Sequence, residues 1–277
     1  MKKKFLHGVL ALVCAAVCVL GFAACGSDDD DTFYYTLNDD GKSYCVAGFL
    51  NEETENVNIP ATYKGKPVTA IGDRAFREKS IKKINLSENI KTIGSSAFAY
   101  CVSLNTISVS AKNPVFHSVN NCLIETESKT LVLACRSSVI PDDGSVTKIG
   151  AAFSGSQLLD EITIPNSVTT IGQFAFFDCV SLFTVNIGSG VVTIESDAFA
   201  KCSSITRITI PASVTEIGEA AFNQCDRLKE ATFKNPYGWK AYKNGELSDN
   251  IRQPEFDDPT TAAENLLSYV AYTLKRT

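Results

Sequence analysis

The chain contains two kinds of residue that often perform chemistry, namely ten cysteines and several neighbouring pairs of carboxylates. Paired carboxylates can act as the acid and base of a glycosidase, and a cysteine can act as a nucleophile. The pairs stand at Asp142-Asp143, Asp160-Glu161 and Asp257-Asp258. Carboxylates that are adjacent on a strand or loop are typical of a solvated surface, so these pairs do not predict a catalytic centre.

Histidine, the common base partner of a nucleophile, is scarce. The two histidines are His7, in an apolar N-terminal stretch, and His117. No C-x-x-C pair, G-x-S-x-G, glycine-rich phosphate loop or H-E-x-x-H motif occurs. A structural zinc site needs clustered Cys and His, and none is indicated. The sequence therefore predicts no enzyme, no metal and no cofactor, and we interpret His117 as a surface or packing residue.

Several cysteines recur three residues after a phenylalanine, at Cys101, Cys179, Cys202 and Cys225. A small apolar side chain at a fixed position of a repeat is typical of a buried core, and disulfides between neighbouring repeats are the alternative. Cys122 and Cys135 flank a separate segment, and we interpret them as free thiols rather than as a bridge. Seven cysteines follow Cys25, so they cannot all be paired within one chain.

Residues 1–24 predict a signal peptide. Lysines at positions 2–4 precede an almost wholly apolar run over 5–24. The run ends in Phe22-Ala23-Ala24-Cys25, which resembles the lipobox of bacterial lipoproteins, and this resemblance implies lipidation of Cys25. An acidic tether over 25–31 is expected to follow, because its aspartates favour an extended chain rather than calcium binding. The alternative is an uncleaved membrane anchor, since the run is nearly long enough to span a bilayer.

The net charge of the chain is −5, and loss of the N-terminal lysines makes it more negative. Domains that bind nucleic acids carry a basic patch or stripe. The charge therefore predicts no nucleic-acid partner and opposes binding to anionic polymers.

A period of 22 or 23 residues runs through the middle of the chain. An isoleucine followed by glycine, or once by glutamate, marks the period at Ile71, Ile93, Ile149, Ile171, Ile194 and Ile217. A phenylalanine follows each of them, at Phe76, Phe98, Phe153, Phe176, Phe199 and Phe222. Such a period indicates one small unit that is copied and stacked, so function is expected on a long surface rather than in a pocket.

The unit reads C-x-x-L-x-x-I-x-I-P-x-x-V-x-x-I-G-x-x-A-F-x-x-C. The I-x-I piece alternates apolar and polar residues, which predicts a strand with one buried face. V-x-x-I-G predicts a second short strand, and A-F predicts a short helical or 3₁₀ turn entered through glycine. Stacked units would form a solenoid of short parallel strands. A sandwich is the alternative, and it predicts turns at roughly 8–12-residue spacing without a fixed phase.

These pieces together resemble the BspA-like leucine-rich repeat family of bacterial and protist surface proteins. The resemblance covers about Ile59 to Phe233. It implies a leucine-rich-repeat solenoid and an adhesin-type role in contact with host extracellular proteins or other cells.

The predicted solenoid spans 59–235 and is capped at both ends. Residues 32–58 predict an N-terminal hairpin cap around Asp39-Asp40-Gly41. A hairpin insertion is expected at about 110–140, where apolar runs surround a polar turn. Residues 236–277 predict a C-terminal cap in which Trp239 covers the last coil and a helix begins at about residue 260. The apolar residues at helical spacing there are Leu266, Leu267, Val270 and Leu274.

The outward side chains of the L-x-x-I-x-I strands are expected to form rows across a concave sheet. Most of them are short and polar, and Phe183 is the large apolar exception. Phe183 beside Arg207 is the predicted centre of a ligand-binding face, because aromatic residues and Arg are favoured as interface anchors. The alternative is that Phe183 folds back over the coil edge. The other candidate ligand-binding residues are Asp160, Glu161, Lys229 and Glu230.

The sequence thus predicts a non-enzymatic, adhesin-like lipoprotein that is exported, anchored to the bacterial cell envelope through lipid on Cys25, and exposed at the surface. Its expected partner is a host matrix protein, another cell-surface protein or a glycan. A glycan-binding lipoprotein and an envelope scaffold without an external ligand stay open as alternative roles. Several exposed aromatic platforms would favour the glycan.

Overall fold

The structure of the protein, a computed structural model, describes residues 32–50, 54–249 and 253–277. The predicted signal peptide, Cys25 and the acidic tether fall outside these ranges. The described elements are, in chain order, β1 (Phe33–Leu37), β2 (Tyr44–Phe49), β3 (Asn56–Asn58), β4 (Thr62–Tyr63), β5 (Lys66–Ile71), β6 (Lys83–Leu86), β7 (Thr92–Ile93), β8 (Thr106–Val109), β9 (Phe116–Val119), β10 (Cys122–Glu125), β11 (Thr130–Leu133), β12 (Lys148–Ile149), β13 (Glu161–Ile164), β14 (Thr170–Ile171), β15 (Thr184–Ile187), β16 (Thr193–Ile194), β17 (Arg207–Ile210), β18 (Glu216–Ile217), β19 (Glu230–Phe233), β20 (Trp239–Lys243), β21 (Glu246–Leu247), α1 (Pro259–Ser268) and β22 (Thr273–Arg276).

The two strand pieces of the repeat form two separate ladders. In the first ladder β3, β6 and β8 pair in parallel, as do β13 with β15 and β17 with β19. In the second ladder β12, β14, β16 and β18 pair in parallel, with the isoleucines of the I-G positions in register. The alternation predicted for the first strand is present, since β17 buries Ile208 and Ile210 and exposes Arg207 and Thr209. The predicted solenoid of stacked parallel strands is confirmed.

The repeated phenylalanines stack along the interior. Phe176 lies 5.1 Å from Phe153 and 5.0 Å from Phe199 between ring centroids, and Phe199 lies 5.3 Å from Phe222. The rings are nearly parallel and almost fully buried. Their separations are within the range favoured for aromatic pairs, so each ring adds contact energy to the burial of its apolar surface.

The Ala-Phe segments form turns that are joined by a backbone ladder of their own. In the turn that holds Phe176, the amides of Phe174, Phe176 and Asp178 donate to the next turn at 3.4, 2.8 and 2.9 Å. Phe174 and Asp178 have φ of 58° and 60°, in the left-handed region. These conformations aim alternate amides along the stack, and the inter-turn hydrogen bonds offset their strain.

The two apolar runs around residue 127 form an antiparallel hairpin, β10 with β11, which we call the partition hairpin. It is part of the stack, because β11 pairs in parallel with β12 while β10 pairs with β9. Neighbouring side chains of β10 face opposite directions. Leu123 packs with the coils that precede the hairpin, the N-terminal core, whereas Cys122 and Ile124 pack with the coils that follow, the C-terminal core. The continuous apolar run therefore has both faces buried.

The N-terminal end of the stack is covered by the predicted hairpin. β1 and β2 pair antiparallel around Asp39-Asp40-Gly41, and β2 joins β5 in parallel. The Asp40 carboxylate accepts hydrogen bonds from the amides of Lys42 and Ser43 at 2.8 and 3.0 Å, which fixes the turn. These bonds hold the pKa of Asp40 below its usual range. Tyr35 stacks on Tyr63 at 3.8 Å and closes the side of the cap.

The C-terminal end is covered by aromatic rings, a helix and a strand. Trp239 is buried edge-on against Phe233 and Phe256. The Asp258 side chain accepts from the Thr261 amide and caps α1, which begins at Pro259, close to the predicted start. The helix is shorter than the apolar spacing indicates, since it ends at Ser268 and Leu274 lies in β22. β22 pairs antiparallel with β18 and satisfies the last edge of the second ladder.

Candidate binding face

The outward side chains of β13, β15, β17 and β19, with the residue that precedes each strand, form a surface that we call the strand face. The amide of Phe183 donates to the carbonyl of Asp160, and that of Lys229 donates to Thr206, each at 3.0 Å. The hydrogen bonds therefore join Asp160 to Phe183 and Thr206 to Lys229, and the strand registers place Glu161 beside Thr184 and Arg207 beside Glu230. β13 with β15 and β17 with β19 are separate strand pairs. In the repeat, Asp160, Phe183, Thr206 and Lys229 occupy one equivalent row, and Glu161, Thr184, Arg207 and Glu230 occupy the adjacent row.

Phe183 projects from the strand face into solvent. Its exposed fraction is 55%. Its backbone partner Asp160, its chain neighbour Thr184 and its repeat equivalent Thr206 are all polar. An apolar ring that is surrounded by polar groups is the arrangement found at the centre of many protein interfaces.

The guanidinium of Arg207 contacts a carboxylate on the neighbouring strand. Arg207 lies in the other row, and its Nε contacts the Glu230 carboxylate at 3.0 Å. A second ion pair joins Arg136 to Asp160 at 3.2 Å. Both pairs are exposed, so each contributes only about 0–1 kcal/mol to stability. Their charges are available to a ligand, because both pairs are exposed.

The sequence analysis missed Arg136 because it lies outside the repeat register. It follows the partition hairpin, in a loop whose Ser137 hydroxyl donates to the carbonyl of Asn105 at 2.9 Å. This bond holds the loop against the start of β8, because Asn105 directly precedes that strand. No periodic signal marks Arg136, and only its contact with Asp160 reveals that it belongs to the strand face.

The polar part of the strand face is held by side-chain contacts between coils. The amide of Asn186 donates to the hydroxyl of Thr163 at 3.3 Å, across neighbouring strands. Thr209 and Thr232 follow on the next two strands in the same orientation, and both are exposed. Short hydroxyl and amide groups of this kind hydrogen-bond equally well to a protein main chain or to sugar hydroxyls.

Two of the described cysteine thiols are held in their protonated form by burial. Burial raises the pKa of the Cys101 and Cys122 thiols to about 12, so they stay protonated at neutral pH. Of the cysteines in the described ranges, those outside the N-terminal cap are not in disulfide bonds, namely Cys101, Cys122, Cys135, Cys179, Cys202 and Cys225. No described group of three or more Cys, His, Asp or Glu is placed to hold a metal ion. Nδ1 of His117 lies 2.9 Å from the Thr126 hydroxyl, in a hydrogen bond beside the partition hairpin.

No helix within the described ranges has the length and apolarity needed to cross a membrane.

A solenoid of short parallel strands with a repeated leucine, isoleucine and phenylalanine core defines a leucine-rich repeat protein. The family model of the BspA type leucine rich repeat region matches residues 43–123 and 132–244, in six copies. The chain belongs to this family. The residues between the two matched stretches, 124–131, lie in the partition hairpin. Members of the family are typically non-catalytic binding scaffolds.

Several solved structures are similar to this chain. A leucine rich cell surface protein from Faecalibacterium prausnitzii A2-165 is 28% identical with a TM-score of 0.48, over 85% of this chain and 62% of its own. A leucine-rich repeat protein from Bacteroides ovatus ATCC 8483 is 27% identical with a TM-score of 0.47, over 74% of this chain and 52% of its own. The chain therefore spans less than two thirds of each of these proteins. No curated protein matches the chain.

Proposed function

We propose that this chain is a non-enzymatic bacterial surface protein that binds another protein through the strand face. The observation that carries the proposal is the exposed ring of Phe183 at the centre of a polar surface. Aromatic side chains in such positions provide much of the affinity of protein interfaces, while the surrounding polar groups exclude water and give specificity. The Arg136–Asp160 and Arg207–Glu230 pairs supply charges that orient the partner.

The proposal includes the organisation of the chain. Residues 1–24 act as a signal peptide, Cys25 carries a lipid that anchors the protein to the bacterial cell envelope, and residues 25–31 form an acidic tether. Residues 32–58 cap the solenoid over 59–235, and residues 236–277 close its other end. The basic start, the apolar run and the small residues before Cys25 support this assignment. Mass spectrometry of the mature chain tests it, because retention of residues 1–24 contradicts both cleavage of the signal peptide and lipidation of Cys25.

The partner that we favour is a host matrix protein or another cell-surface protein, which gives an adhesin-like role. Phe183 is the large aromatic residue on the strand face, and sugar-binding surfaces rely on several aromatic platforms. A glycan is therefore the second candidate, and the polar row around Thr163 and Asn186 is the observation that supports it.

Binding to an array of matrix proteins, cell-surface proteins and glycans tests the function. We expect the purified chain without residues 1–25 to bind at least one protein, and Phe183→Ala to weaken that binding by roughly 30-fold, the effect of losing an interface anchor. Thr209→Ala, on the same face, is the matched control and is expected to bind within a few-fold of the wild type. Neither substitution should change the unfolding midpoint, because both side chains are exposed.

Equal binding by the wild type and Phe183→Ala would remove the strand face from the interaction. Binding to glycans alone would replace the protein partner by the second candidate. If no protein or glycan binds, the remaining role is that of an envelope scaffold, which a deletion strain with altered cell shape and unchanged attachment would favour.

A further inference from the structure

The backbone ladder of the Ala-Phe turns shows how one turn normally covers the next. In the turns that hold Phe76, Phe176 and Phe199, amides at three alternating positions donate to the carbonyls of the next turn. The amides of Arg74, Phe76 and Glu78 donate to the carbonyls of Ser95, Ala97 and Ala99 at 3.1, 2.8 and 2.9 Å. The amides of Asp197, Phe199 and Lys201 donate to the carbonyls of Glu219, Ala221 and Asn223 at 3.0, 2.8 and 2.7 Å. Alternate carbonyls of an adjoining main chain are therefore the natural partner of this surface.

The ladder is interrupted inside the stack at the turn that holds Phe98. Ser96, Phe98 and Tyr100 occupy the three donor positions, and Ser96 and Tyr100 have the same left-handed φ, 54° and 63°. Among the described residues, no carbonyl accepts a backbone hydrogen bond from these amides. Phe98 is only 6% exposed, so its amide is an orphaned donor in a nearly buried site.

The interruption arises because the coil of the partition hairpin lacks a phenylalanine turn. The amide of Ala134 donates to the carbonyl of Ala152 at 3.0 Å, as Phe153 does to Ala175 in the next coil. Ala134 thus holds the position that phenylalanine occupies in the other coils. The ring stack is correspondingly split, because Phe98 stacks on Phe76 at 5.0 Å and the next stacked pair begins at Phe153.

A cavity of about 210 Å³ lies where this turn is missing. Its lining includes Phe98, Tyr100, Val132, Ala134, Ala152 and Leu158. An apolar cavity of about 150 Å³ is large enough to hold benzene, so an aromatic side chain fits this volume. Val102 and Leu158, which also line it, are 39% and 51% exposed, and they give the cavity an apolar rim.

One end of the cavity is closed by the coil that follows the hairpin. An atom added as Cβ at Gly155 would lie 2.7 Å from the ring of Tyr100, so the two turns are in direct contact there. Ser96, which also lines the cavity, is exposed. The amides of Ser96 and Phe98 are therefore the donors that a ligand entering from this side would meet.

We propose that this cavity is a docking site for a peptide segment of a partner protein, which takes the place of the missing turn. An aromatic side chain of the peptide enters the cavity and packs on Phe98. Two main-chain carbonyls of the peptide accept from the amides of Ser96 and Phe98. The match is electrostatic as well as steric, because oriented amide N–H groups present partial positive charge to the carbonyl oxygens. The site is separate from the strand face.

The chain itself supplies the probe, since its own turns already cover turns of this kind. A fluorescein-labelled peptide that copies residues 195–201 contains one phenylalanine, which lies between two alanines. We expect it to raise fluorescence anisotropy on the full mature chain in detergent, and we expect a peptide with that phenylalanine replaced by alanine to bind at least tenfold more weakly. Phe183→Ala on the strand face is expected to leave peptide binding unchanged.

Two variants of the protein test the location. Ala134→Phe restores the ring at the ladder position and fills the cavity, so it is expected to abolish peptide binding while the melting temperature stays the same or rises. Leu158→Ser changes the exposed rim, where folding tolerates polar residues, and is expected to weaken binding several-fold. Thr163→Ser, away from the cavity, is the matched control.

The proposal fails if the peptide does not bind, or if the peptide without its phenylalanine binds equally well. It also fails if folded Ala134→Phe and Leu158→Ser both bind like the wild type. Phenylacetate provides a final comparison, because binding of this small acid as tightly as the peptide would assign the cavity to small aromatic molecules instead.

Discussion

The recurring cysteine binds a backbone carbonyl in addition to filling space in the core. The thiols of Cys179, Cys202 and Cys225 donate to the carbonyls of Phe153, Phe176 and Phe199 at 3.2, 3.1 and 3.1 Å, in each case in the preceding coil. Cys101 makes the same contact with Phe76 at 2.9 Å. The position therefore requires a small side chain with a weak donor, which cysteine provides at little cost of desolvation.

These buried thiols make folding stability depend on pH in the alkaline range. The pKa of Cys101 rises from 9.0 to about 12 on burial. Below pH 9 the thiol is protonated in both states, so its contribution is constant. Above pH 9 the unfolded chain loses the proton and the native chain keeps it, so stability falls until about pH 12, by at most about 1.4 kcal/mol per pH unit for one thiol.

Urea unfolding of the wild type and Cys101→Ala at pH 7, 9 and 10.5 measures this effect. We expect the variant to lose less stability than the wild type between pH 9 and 10.5. Ser103→Ala removes no ionisable group and is expected to keep the wild-type dependence. Parallel losses in Cys101→Ala and the wild type would contradict ionisation of this thiol as the cause.

At the residue scale, periodicity is what made prediction possible. Phe176 and Cys179 were interpretable from sequence because each has equivalents at the same phase in neighbouring coils. Phe183 stood out against polar equivalents for the same reason. Arg136 and Ala134 have no such reference, since they lie in a segment of irregular length. Their roles follow only from the contacts that the fold creates.

At the scale of the elements, packing between neighbouring coils stabilises the fold, and the repeated phenylalanine shows this most directly. Phe199 has a ring on each side, at 5.0 and 5.3 Å, and is fully buried. Phe98 has a stacked ring on one side, and it lines the cavity. The same residue type therefore has two different environments in one stack.

We expect Phe199→Ala to reduce the free energy of unfolding by about 3–5 kcal/mol, the range for loss of a buried aromatic ring. Phe98→Ala should reduce it by less, because part of the surface of that ring already faces empty volume and loses fewer contacts. Urea unfolding of the two variants measures the difference. An equal loss at both positions would show that the cavity is closed in solution.

At the scale of the whole described fold, the partition hairpin divides the interior into two cores. The first-strand ladder is not continuous between β8 and β13, and among the described strands β7 pairs only with β5. Leu123 and Leu133 serve the N-terminal core, while Ile124 and Leu131 serve the C-terminal core. Cooperativity in a solenoid passes through contacts between neighbouring coils, so a weak junction separates cooperative units.

We expect the two cores to open at different free energies. Amide hydrogen exchange in increasing urea, read by mass spectrometry, should group the peptides of β6 and β8 apart from those of β14 and β16. Ala134→Phe, which fills the junction, is expected to bring the two groups closer together. A single transition shared by all four strands in the wild type would contradict a division at the hairpin.

The sequence predicted the repeated coil, the caps and the hairpin, because each has a local pattern. It predicted neither the division of the core nor the cavity. The division of the core could not be predicted because a hairpin with both faces buried has the same sequence pattern whichever coils it contacts. The cavity could not be predicted because the segment cannot be aligned to the repeat, so the sequence does not show that a phenylalanine turn is absent. Val270 and Leu274 were assigned to the helix for the opposite reason, since a turn residue and a strand residue matched helical spacing by chance.

The divided interior has an evolutionary consequence. Because neighbouring side chains of β10 serve different neighbours, whole coils can be duplicated or deleted on one side without any compensating substitution on the other. Gene duplication can therefore add coils after β12 while the first coils and their cap keep their sequence. Descendants of one ancestor can in this way differ in the reach of their binding surface and share an unchanged amino-terminal half.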